Sequence, residues 1–104
     1  MNVVLKKNTV PSASWYPLYV RKTVYNALSK FSVNITKVSI YLSAKKDNAK
    51  RCLMVINTQF GERIVTRCTQ SNLSLALQNA IAKARTALKS MIEKSAKTHL
   101  LEKK

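Results

Sequence analysis

This sequence is poor in acids. Asp47, Glu62, Glu93 and Glu102 are its only carboxylate side chains, set against nineteen Lys and Arg for a formal net charge of +15. Asp47 and Glu62 fall in expected turns, Glu93 and Glu102 at a helix end and in a tail, so no two are placed for general acid–base work. His99 is the sole histidine and lies near the C-terminus. The serines therefore have no base at hand to activate one of them. Enzymatic activity and a small-molecule substrate are not expected. The two cysteines, Cys52 and Cys68, form no CxxC and sit in no Cys/His cluster, so neither a zinc site nor any cofactor is expected. No apolar run is long enough to span a bilayer, and Met-Asn-Val-Val-Leu-Lys-Lys at the start reads as a strand rather than a signal peptide. The expectation is a cytoplasmic protein with no membrane partner.

What the chain does have is positive charge on an ordinary apolar framework. With 46% hydrophobic residues over 104 positions, one domain with one core is expected. A charge of +15 opposes compaction and is better tolerated when a polyanion is the partner, nucleic acid first among them.

The most informative stretch is residues 50–69. Two runs rich in Val, Ile and Thr flank the only glycine, Gly61. Branched side chains favour the pleated strand, so this is a hairpin. A three-residue loop, Gln59-Phe60-Gly61, puts Gly61 at the left-handed position. Thr58 then faces Glu62, and Ile56 lies opposite Ile64, Met54 opposite Thr66 and Cys52 opposite Cys68. Alternation gives one face Cys52, Met54, Ile56, Ile64 and Cys68, read as core with the thiols reduced. The other face gets Arg51, Leu53, Val55, Arg63, Val65 and Arg67, a basic surface on an apolar ground.

The rest of the chain supplies partners for that hairpin. Residues 1–7 are expected to be a short strand with Val3 and Leu5 on one face. A helix should begin near Ser14 as N-cap, with Pro17 in its first turn, and run to about Phe31. Its stripe is Val20, Val24, Ala27, Leu28 and Phe31. Trp15 is expected to cap the edge of the core. Residues 37–44 alternate as a half-buried strand, with Val38, Ile40 and Leu42 inward, and residues 45–48 make a polar turn. A last helix, with Ser71 as first choice of N-cap, buries Leu73, Leu77, Ala80, Ile81, Ala84, Leu88, Met91 and Ser95. The expected fold class is α+β: a two-layer βαβββα sandwich of a four-stranded mixed sheet with two helices on one face. Residues 1–95 form the single domain, and residues 96–104 a basic C-terminal tail.

Several segments, in order, resemble the short ribosome hibernation promoting factor and ribosome-associated inhibitor A family, also called sigma-54 modulation proteins. They are Tyr19-Val20-Arg21-Lys22, then Ile35-Thr36-Lys37-Val38-Ser39-Ile40-Tyr41-Leu42, then Gly61-Glu62-Arg63-Ile64, and the final helix with Lys83, Leu88 and Lys89. The resemblance spans residues 1–94. It implies a fold similar to double-stranded-RNA-binding domains. It also implies binding to rRNA of the small ribosomal subunit over the messenger and transfer RNA sites, as a monomer off the ribosome, and inhibition of translation in stressed or stationary cells. Two features depart from the family. The entry to the last helix, Ser71-Asn72-Leu73-Ser74-Leu75-Ala76-Leu77-Gln78, has no acid and no tyrosine, and Thr86 stands where the family often has arginine.

The candidate nucleic-acid-binding residues are Lys22, Lys45, Lys46, Lys50, Arg51, Arg63, Arg67, Lys83, Arg85, Lys89 and Lys94. Lys45, Lys46, Lys50 and Arg51 crowd one turn. Arg63 and Arg67 point the same way on the open sheet face. Arg85 and Lys89 flank the last helix's apolar stripe on one side, Lys83 and Lys94 on the other. Lys22, Lys83 and Lys89 match basic positions of the family. Arginine can chelate phosphate through two parallel bonds, whereas lysine acts as a point charge. Tyr41, also on the open face, can stack on a base or pack on Leu53 and Val65. The alternative reading is a non-ribosomal regulator that docks an acidic protein partner or another structured RNA.

Overall fold

The structure is a computed structural model that describes residues 1–10 and 14–102, with side chains described as far as Lys94. The elements are strand β1 (Asn2–Asn8), helix α1 (Tyr16–Leu28), strand β2 (Ile35–Ala44), strand β3 (Lys50–Thr58), strand β4 (Arg63–Gln70) and helix α2 (Leu73–Glu102). The expected order holds. The strands lie in the order β1-β2-β3-β4, with β1 parallel to β2 and the remaining pairs antiparallel. This is the expected four-stranded mixed sheet, with both helices packed on one face.

The hairpin has the register set by a three-residue loop. Cys52 pairs with Cys68, Met54 with Thr66 and Ile56 with Ile64. The Thr58 amide donates to the Glu62 carbonyl at 3.1 Å and the Gly61 amide to the Thr58 carbonyl at 3.2 Å. Gly61 has φ +84°, which a residue with a Cβ adopts at a cost. The turn between β2 and β3 closes through Asp47 and Asn48, at φ 63° and 61°, a region these two side chains tolerate.

Val38, Ile40, Leu42, Cys52, Met54 and Ile56 are fully buried on the inner face of the sheet. They meet Val20, Val24 and Leu28 of α1 and Ala76, Leu77, Ala80, Ala84 and Leu88 of α2. Two hydroxyls on this face are satisfied within the chain, as buried polar groups must be. Thr58 donates to the Glu62 carbonyl at 2.9 Å, and Thr66 donates to that of Ala80 at 3.4 Å. Both cysteines are free and buried.

Three details differ from expectation. The helix expected to reach Phe31 ends as an α-helix at Leu28 and continues as a 3-10 segment, Ser29–Asn34. Phe31 still packs against the core. The first residue flanking α1 is Trp15 rather than Ser14, with no side-chain cap. At α2 the cap is Asn72, not Ser71: its Oδ1 accepts from the Ser74 amide at 2.8 Å and the Leu75 amide at 3.4 Å. The chain enters α2 one residue later than Ser71 would allow, and only the residue at the turn itself can reach the second and third helical amides. The place of Ser95 on the α2 stripe and the side chains of the expected tail lie outside the described residues.

Candidate nucleic-acid interface

The open face of the sheet is a grid fixed by strand register. Three rows cross all four strands: Asn2-Lys37-Asn57-Arg63, Val4-Ser39-Val55-Val65 and Lys7-Tyr41-Leu53-Arg67. A fourth, Ser43-Arg51-Thr69, crosses the last three strands. An apolar row therefore runs between two rows that carry charge. None of the four acids lies in this grid. Arg63 and Arg67 are exposed, with Val65 between them 55% exposed. Tyr41 is half-buried beside Leu53. Arg51 is half-buried too, and its Nε has no hydrogen-bond partner among the described residues. The Lys6 side chain beside Lys37 holds it below the ordinary lysine value. Two like charges brought together in this way disfavour the charged form.

The other candidates are spread around the molecule. Lys45 and Lys46 are exposed at the β2–β3 turn, and the Lys50 ammonium donates to the Asn48 carbonyl at 3.1 Å. Arg85, Lys89 and Lys94 are exposed on α2, and Lys22 on α1. Lys83 is exposed as well, and its ammonium donates to the Arg67 carbonyl at 3.1 Å. Because Thr58 and Glu62 form a hydrogen-bonded pair, the odd-numbered residues of β4 turn their backbone groups to the free edge. Lys83 thus caps one acceptor of an open sheet edge, a usual place for lysine. Two of its three donors remain for other work. The eleven basic side chains are not one patch: Arg51, Arg63 and Arg67 face away from the helices, whereas Lys22, Arg85 and Lys89 belong to the helical layer.

The face of α1 opposite its buried stripe was not singled out in the sequence. Trp15 is 62% exposed rather than capping the core, because it precedes the first helical turn and points away from the stripe. It contacts Tyr16 and Tyr19 with ring centroids 5.8 and 5.9 Å apart. Leu18 and Tyr25 lie half-exposed on the other flank, with Arg21 and Lys22 beside them. The signal was present as the spacing of Leu18, Lys22 and Tyr25, a helical stripe roughly opposite Val20 and Val24. Among the described residues, no three of His, Cys, Asp and Glu come together as metal ligands. No described helix is long and apolar enough to cross a membrane.

No family model matches the sequence, and no curated protein is similar to it. Solved structures are. The Thermus thermophilus Protein Y N-terminal domain superposes with a TM-score of 0.69 at 16% identity, covering 88% of this chain and 99% of that one. A ribosomal subunit interface protein from Coxiella burnetii gives a TM-score of 0.72 at 14% identity, covering 89% and 99%. The chain has the fold of these two proteins. At such identities the likeness is one of backbone. The expected βαβββα architecture is thereby met in independent structures.

Proposed function

We propose that this protein binds rRNA of the small ribosomal subunit at the messenger and transfer RNA sites and holds translation off. The observation that supports this best is the combination of that fold with a charge of +15. One neighbour sharing the backbone is a ribosomal subunit interface protein, and few partners other than RNA suit so acid-poor a chain. The protein acts in the cytoplasm, as a monomer off the ribosome, and in stressed or stationary cells. It is a binding protein rather than an enzyme. Its contacts come from among the eleven basic residues named above, largely through phosphates.

Purified protein should co-sediment with small subunits and lower translation in a cell-free system. Binding should weaken steeply with salt, with a log–log slope of about −0.7 to −0.9 per phosphate contact. Reversing Lys22 and Lys89 in one variant, and Arg63 and Arg67 in another, identifies the layer that meets the RNA. Co-sedimentation with large subunits only, or none at moderate salt, sinks the reading. A complex that survives nuclease points instead to an acidic protein partner.

A further inference from the structure

The exposed flank of α1 does not stand alone: it forms one wall of a groove whose other wall is the start of β1. The groove has a volume of about 470 Å³ and is lined by Asn2, Val3, Leu18, Arg21, Lys22, Tyr25 and Asn26, together with Met1. That size falls within the usual range of small-ligand sites, roughly 300–1,000 Å³. Beside it, a smaller depression of about 340 Å³ continues along β1 past Val4, Leu5 and Pro17, and shares Asn2, Val3 and Arg21.

We propose that this groove takes an unpaired nucleotide of single-stranded RNA. The proposal rests on the RNA-binding reading above and adds where an unstacked base goes. Each part of such a ligand finds a matching group. Tyr25, 48% exposed, offers a flat ring as a stacking surface. Leu18 and Val3 supply an apolar floor and wall. Asn2 and Asn26 carry amides that both donate and accept, as the edge of a base requires. The sheet order makes β1 an edge strand, so one row of its backbone donors and acceptors has no strand partner. Arg21 and Lys22, adjacent in sequence and both exposed, stand at the groove to hold the flanking phosphates. No acid lines it. A base inside a duplex is stacked and paired and cannot enter; a base in a loop or a single strand can. The planar wall, the paired amides and the enclosing shape come together in this groove, whereas the open sheet face is flat.

The test uses fluorescently labelled ten-nucleotide oligouridylate and oligoadenylate, and a blunt RNA duplex of equal length, titrated by anisotropy at fixed salt. Tyr25→Ala should weaken single-strand binding by roughly 5- to 150-fold, the stacking range of one base. Tyr25→Phe should keep it, and the duplex should bind both variants as it binds wild type. Phe60→Ala removes an aromatic side chain of similar exposure on the far hairpin loop and should change nothing. Ultraviolet crosslinking should place the adduct on the tryptic peptide of residues 23–30. The proposal is overturned if Tyr25→Ala behaves like Phe60→Ala, if the duplex loses affinity equally, if the adduct falls on β4, or if polyglutamate competes as well as RNA. Should wild type co-sediment with small subunits and still show any of these, the groove assignment fails and the ribosomal reading stands. Base-dependent binding without co-sedimentation gives the reverse.

Discussion

Cys52 is the residue on which the division between the core face and the open face of the sheet can be tested most sharply. It is fully buried, directly opposite Cys68, on the face covered by the helices. Burial, and then the neighbouring Cys68, push its thiol from 9.0 up to about 12. At pH 8 about one in ten thousand such thiols is ionised, against about one in ten for an ordinary cysteine. Since the thiolate is the nucleophile, native Cys52 should react about a thousandfold more slowly with a disulfide reagent than the unfolded chain does. Restricted access slows it further. The same shift has a thermodynamic counterpart. The native state keeps its proton where the unfolded state loses it, so stability is fully present below pH 9.0 and is lost as pH rises toward about 12. At pH 10 the loss is about 1.4 kcal/mol, and over the whole window it is on the order of 4 kcal/mol. Lysine neutralisation changes stability over the same range, so the measured quantity is a difference. Urea unfolding of wild type and of Cys52→Ala, each at pH 8 and pH 10, should show wild type losing about 1.4 kcal/mol more than the variant. Rapid labelling of both cysteines in native buffer, or parallel pH dependence in the two proteins, would refute the burial. The roles of the two sheet faces would then have to be exchanged.

Two further substitutions test local structure. Gly61→Ala should destabilise by about 1–2 kcal/mol in urea unfolding. The cause is the backbone at φ +84° rather than crowding, since an added Cβ meets nothing within 4 Å; an unchanged midpoint would mean that the hairpin closes through a different turn. At the start of α2, Asn72→Ala should cost about 1 kcal/mol, whereas Ser71→Ala should stay within about 0.5 kcal/mol. The opposite order would return the cap to Ser71.

What the sequence determined by itself was everything governed by local periodicity. Gly61 needs a left-handed position, and that one requirement set the register of β3 against β4 down to the Cys52–Cys68 pair. Alternation sorted the strands into faces, and helical spacing marked Val20, Val24 and Leu28 as buried. The scarcity of acids raises the expectation of a polyanion partner, which the fold alone does not decide. The cap of α2 was less legible, because Ser71 and Asn72 are both good capping residues and one residue of phase separates them. Direction and juxtaposition were decided only by tertiary structure. A net charge is a sum and does not say where its parts point: β4 turns Arg63 and Arg67 away from the helices, while α2 brings the Lys83 ammonium onto the Arg67 carbonyl. Trp15 is apolar enough to read as core, yet it lies before the first turn of α1, where no element covers it. The groove of Tyr25, Arg21 and Asn2 is built from two segments whose meeting depends on β1 lying at the sheet edge under α1. No local pattern encodes that meeting, because it follows from the order in which the strands pair and from the face on which the helix must bury its stripe.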